Sequence, residues 1–103
     1  MNKRLEMLEK LVASGKADSF ARYGLAMEYR ALGRAGDAVR AFEALREHDP
    51  DYLPMYLMAG QLLVETNRRE DARAWLGAGR DLASRQGNTK TLSEIDDAIA
   101  NLL

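Results

Sequence analysis

Cysteine is absent from this 103-residue chain, which removes disulfides, thiol catalysis and cysteine-ligated metal sites. Histidine is nearly absent too. With His48 alone, no histidine cluster can hold a metal. Neither sign of charge is in surplus: 15 Lys and Arg face 16 Asp and Glu, a formal net charge of −1. Nucleic-acid binders usually carry a basic excess to neutralise phosphates, so no nucleic acid is expected as a partner. No apolar run approaches the ~20 residues needed to cross a bilayer. The charged stretch from Met1 to Lys10 lacks the apolar core of a secretory signal. No membrane partner, cofactor or metal is expected, and the expected location is the cytoplasm.

What is present is helical pattern. Hydrophobic residues make up 47% of the chain and charged residues 30%, as expected when many helices each keep a wet face. Residues 2–13 read as a first helix, with Leu5, Leu8, Leu11 and Val12 on one stripe. Gly15 ends it, and Asp18 caps a second helix running to about Leu32. Gly33 and Gly36 bracket a short turn, after which Asp37 is expected to cap a third helix reaching His48. Asp49-Pro50-Asp51 breaks that helix. Asp51 is expected to cap a fourth, with Pro54 in its first turn.

Asn67 to Asp71 is a second turn, followed by a helix from about Asp71 to Arg85 that stops at Gly87. A last helix, from about Thr89 to Leu102, carries Leu92, Ile95, Ile99 and Leu102 in one stripe beside Ala98. No segment alternates with period two long enough to be a strand.

Two stretches repeat each other at an offset of 34. Arg34, Asp37, Ala38, Ala44 and Arg46 recur as Arg68, Asp71, Ala72, Ala78 and Arg80. Phe42 returns as Leu76, Tyr29 as Leu63 and Gly33 as Asn67. The small residues Ala26, Gly60, Ala38 and Ala72 fall where helix backbones must approach closely, and Tyr29, Leu63, Phe42 and Leu76 fill the space beside them. This period marks a helix–turn–helix array.

At family-pattern positions the first unit has Arg22, Leu25, Ala26, Tyr29, Ala38, Phe42 and Pro50; the second has Tyr56, Ala59, Gly60, Leu63, Ala72, Leu76 and Ser84. The chain thus resembles the tetratricopeptide repeat family. The resemblance implies an all-α, right-handed superhelix of antiparallel helix pairs with about six helices. It implies one domain over 1–103: a leading half-unit at 2–15, repeats at 19–52 and 53–86, and a capping helix at 88–103. Arg4 falls where Ala38 and Ala72 sit, so the spacing of the leading helix should differ.

In that family the first helices line a concave groove that holds a helix or an extended peptide. By correspondence, the groove residues here would be Phe20, Tyr23, Met27 and Arg30, then Leu57, Gln61, Val64 and Glu65. The Lys and Asn clamp by which some members grip a chaperone tail is missing, since Tyr23, Met27, Leu57 and Gln61 stand at its sites.

The remaining features have plainer readings. Arg69, Arg73 and Arg80 share a helix face that reads as solvated, laced with Glu70, Asp71 and Asp81. Trp75 has no counterpart in the first unit and is expected to anchor the last helix. His48 beside Asp49 reads as helix-end chemistry. Asp96 and Asp97 lack calcium-loop spacing, and Gly33-Arg34-Ala35-Gly36 lacks the Lys-Ser/Thr ending of a phosphate loop. The expected function is a non-enzymatic adaptor that binds a helix or apolar peptide of another protein. The alternative is a homo-oligomeric module, such as a homodimer, whose groove serves self-association. A helical-repeat RNA binder is the third reading, and the balanced charge opposes it.

Overall fold

The computed structural model describes residues 2–102; Met1 and Leu103, which bound the expected domain, lie outside the described residues. Its elements are six helices: α1 (Lys3–Ala13), α2 (Ser19–Ala31), α3 (Ala35–His48), α4 (Pro54–Glu65), α5 (Arg69–Gln86) and α6 (Thr89–Ala100). The chain divides into two compact units, residues 1–50 with α1 to α3 and residues 51–103 with α4 to α6.

Helix ends are written locally. Asn2, Asp18 and Asn88 stand just before α1, α2 and α6, and each side chain accepts a backbone N–H three residues on. Four helices end in the same six-residue closure. At the end of α2, Gly33 (φ +74°) lets the Arg34 amide donate to the Tyr29 carbonyl at 2.9 Å. One period later Asn67 (φ +63°) lets the Arg68 amide donate to Leu63 at 2.8 Å. Only glycine enters this left-handed region without cost, and asparagine is the usual substitute.

Two expected caps are different in the structure. Asp37 does not precede α3, which starts at Ala35 and has no side-chain cap. Asp37 sits in the first turn instead, where Arg34 Nε donates to it at 2.8 Å and Arg40 adds a second bond. A carboxylate there also meets the positive end of the helix dipole. Arg68 and Asp71 repeat the arrangement at 2.9 Å, and α5 accordingly starts at Arg69, before Asp71. Asp51 does not cap α4 either. The residue before α4 is Leu53, with no side-chain cap bond, and Pro54 opens the helix; proline has no amide there to satisfy.

In the first unit α2 packs on α3 and α1 on α2. Leu5, Leu8 and Leu25 form a cluster with Val12, Ala21, Tyr29 and Ala41 around it. Polar contacts fix the same pair of helices: Arg4 and Asn2 both donate to Glu28, and the Tyr29 hydroxyl donates to Glu9 at 2.6 Å. That bond to Glu9, followed by burial, pushes the Tyr29 phenol above its ordinary 10.0. Arg34 lies over the Tyr29 ring at 4.6 Å. Ala26, Ala38, Phe42 and Leu45 are sealed from solvent.

In the second unit α5 packs against α4 and α6, and α4 touches α6. Met55, Leu63, Leu76 and Ile95 are its largest fully buried side chains. The small residues at α4–α5 are forced by contact. A Cβ on Gly60 would stand 2.5 Å from Leu76 Cδ2, and one on Gly79 would stand 2.4 Å from Tyr56 Cβ. The repeat explains the second case. Gly79 corresponds to Leu45, and Tyr56 to Arg22, so α4 carries the aromatic bulk that leaves α5 room only for hydrogen. Volume is conserved while its owner changes.

Candidate functional site

In the first unit, Phe20, Tyr23, Met27 and Arg30 recur at three- and four-residue steps, which places them along one face of α2. Phe20 is 73% exposed, a large apolar group left in water, while Tyr23, Met27 and Arg30 are half-buried. Tyr23 owes part of its burial to Phe42, whose ring meets it edge-on at 6.3 Å.

In the second unit, the expected residues of α4 divide. Leu57 is buried, at 8% exposure, so a partner reaches little of it. Gln61 is half-buried and Val64 is 37% exposed. These two, with Glu65, form one wall of an open cleft of about 360 Å³. The far wall is α6, through Glu94, Asp97, Ala98 and Asn101, and Leu76 of α5 lies at its base. The cleft has an apolar floor and rim carboxylates, with no basic side chain in its lining.

Sequence reasoning missed the α6 wall, because that helix reads as a cap whose stripe is Leu92, Ile95, Ile99 and Leu102. The available signal was Glu94, Asp97, Ala98 and Asn101 at steps of three, one and three. This second stripe lies beside the first.

The arginine face of α5 is exposed, as expected, and it also contacts the last helix. Arg69 and Arg73 both donate to the Leu102 carbonyl at 3.3 Å, and Arg80 pairs with Asp96 of α6 at 2.6 Å. Cations at the carbonyl end of a helix oppose its negative pole, so this face tethers α6 and positions the cleft wall. Trp75 lies 5.8 Å from the Tyr56 ring, its aromatic neighbour on α4. His48 is the last residue of α3 and is exposed.

Chemically, the cleft lining combines apolar side chains with carboxylates and amides. Among the described residues no group of three or more His, Cys, Asp or Glu is placed to hold a metal ion. No described helix is long and apolar enough to cross a membrane.

The family model of the tetratricopeptide repeat matches residues 29–87, more than half of the chain. This chain belongs to the tetratricopeptide repeat family. The crystal structure of the tetratricopeptide repeat domain protein from Salinibacter ruber superposes with a TM-score of 0.78 at 37% identity, over 84% of this chain and 96% of that one. The solution structure of a tetratricopeptide repeat domain protein from the same organism gives 0.78 at 38%, over 82% and 86%. The solution structure of a protein from Bordetella parapertussis gives 0.83 over 99% and 89%. At 24% identity it speaks for the fold alone. No curated protein matches the chain.

The family explains the recurrent details. A tetratricopeptide unit needs small residues where its two helices cross and a left-handed residue between them. Ala38 and Ala72, both wholly buried, and Gly33 and Asn67, both at positive φ, supply these. The all-α, six-helix reading is the architecture found.

Proposed function

We propose that this tetratricopeptide repeat protein is a non-enzymatic, cytoplasmic adaptor that binds a helical or apolar segment of another polypeptide. Its contact residues are Phe20, Tyr23, Met27 and Arg30 on the first unit, and Gln61 and Val64 with the edge of Leu57 on the second. The observation that supports this most is the α4–α6 cleft, an apolar-floored hollow with exposed Val64 in a family of protein-binding modules. Met27 suits such a role because its thioether adapts to irregular surfaces. A cleft of this kind gains affinity by desolvating apolar side chains at its centre, while charged rims set partner choice.

The test is affinity capture from cell extract with the wild type and with Phe20→Glu/Val64→Glu. Both positions are exposed, so the helical circular-dichroism signal should be unchanged. Phe20 is 73% exposed, and burying that surface on binding is worth about 1.5 kcal/mol. Loss of that contact alone weakens capture about tenfold, and the introduced charge weakens it further. Capture equal to wild type by a folded double variant would refute the assignment. Leu57→Glu is a poor probe, since its burial makes unfolding the expected result.

A further inference from the structure

We infer that the segment held in the α4–α6 cleft is α1 of a second copy of this chain, which presents its outer face; this rests on reading the cleft as a polypeptide-binding site. On α1, Lys3, Met7 and Lys10 follow one another at steps of four and three and so share a stripe. Together with Glu6, Leu11 and Ser14 they line a shallow hollow of about 470 Å³. Met7 is 55% exposed, one of the large apolar groups that folding leaves in water.

The two surfaces are complementary. Lys3, Glu6 and Lys10 give the α1 face a formal charge of +1, while Glu94 and Asp97 give the α6 wall of the cleft −2. Four of these charges, on Lys3, Lys10, Glu94 and Asp97, are exposed and left over by folding. Arg4, Arg34, Arg40, Arg68 and Arg80 all have carboxylate partners. Lys3, Lys10, Glu94 and Asp97 have none among the described residues. Apolar groups match as well, with Met7 and Leu11 available to meet Val64 and Ala98.

The 34-residue period agrees. α1 ends 35 residues before α3 and so stands in a second-helix position, while α6 starts 35 residues after α4 and stands in a first-helix position. Placing α1 of one copy against α6 of another continues the alternation of the array. Because the two faces are unlike, the contact is head-to-tail, and each copy keeps one α1 face and one cleft for a further copy.

Sedimentation velocity of the full chain over a wide concentration range tests this. The average mass should rise with concentration and fall with added salt, which screens exposed charges. Lys3→Glu/Lys10→Glu and Glu94→Lys/Asp97→Lys should each weaken association roughly tenfold or more, the effect of turning two exposed ion pairs into repulsions. An equimolar mixture of the two variants should associate again, because the acidic α1 then meets a basic cleft. All four side chains lie on exposed rims, so circular dichroism should show both variants folded.

A wild type that stays monomeric at every concentration overturns the inference, as does a mixture that fails to recover. A fluorescent Leu/Lys amphipathic peptide separates this failure from failure of the cleft itself. If it binds the monomeric wild type but not Val64→Glu, the cleft reading stands and the second copy is the wrong occupant. If it does not bind, both fall.

Discussion

Gly79→Ala adds one methyl group to a buried helix, and the structure fixes both the sign and the approximate size of its effect. The new Cβ would stand 2.4 Å from Tyr56 Cβ and 3.1 Å from Ile95 Cδ1. Tyr56 Cβ is bonded directly to the α4 backbone, so no rotamer change removes it; α4 and α5 must separate. Overpacking of this kind costs about 1–3 kcal/mol. Against it stands the helix preference for alanine over glycine, about 1 kcal/mol.

The contact is short on the rigid side, which places the clash at the top of its range. The net loss should be about 2 kcal/mol, or roughly 8–16 °C in Tm for a domain of this size. Gly77→Ala, two residues earlier on α5, provides the internal control. Nothing lies within 4 Å of its Cβ, so only the propensity term acts and Tm should rise by a few degrees. Urea and thermal unfolding followed at 222 nm measure both. Equal stability of the two variants would refute the argued close approach of α4 and α5.

Three further outcomes are expected. Tyr29→Phe should cost about 1 kcal/mol at neutral pH by deleting the bond to Glu9. The raised Tyr29 value means its stabilisation is complete below the ordinary 10.0 and fades as pH climbs through the higher folded value, so urea midpoints of wild type and variant should converge on the alkaline limb. Gly33→Ala should lose about 1–2 kcal/mol because φ is +74°, whereas Asn67→Gly at the equivalent site should be neutral or slightly stabilising in the same unfolding assay. Arg69→Ala/Arg73→Ala should release the Leu102 carbonyl and speed amide hydrogen exchange several-fold at the end of α6, equivalent to about 1 kcal/mol, while α4 amides exchange as before.

Much of the fold was readable because it depends on local chemistry. Asp18 and Gly87 act through the backbone within a few residues, and the matched Ala38 and Ala72 need only a period to be recognised. The caps assigned to Asp37 and Asp51 failed for a local reason as well. An aspartate within the first turn and one before it satisfy similar electrostatics, and pairing with Arg34 places Asp37 inside α3, whereas Asp51 lies three residues before Pro54 and leaves the position before α4 to Leu53. Contacts distant in sequence were less legible. Nothing in Arg69-x-x-x-Arg73 says that the Leu102 carbonyl returns to it.

The site follows the same division. Gln61 and Val64 could be located by correspondence between repeats. Burial of Leu57 depends on what packs around α4, and the Glu94–Asp97–Ala98–Asn101 wall exists only because α6 folds back against α4 and α5. A stripe that serves as both cap and wall has two amphipathic readings, and sequence favours the stronger one.

The central claim is that the exposed α2 strip and the α4–α6 cleft are where this protein holds another polypeptide segment. The most direct measurement is amide chemical-shift mapping of the isotope-labelled chain as captured partner is added. Shifts concentrated at Phe20, Met27, Gln61, Val64, Ala98 and Asn101 are predicted. Shifts confined to exposed positions elsewhere, such as Glu43, Glu47, Asp81 and Arg85, would contradict the account.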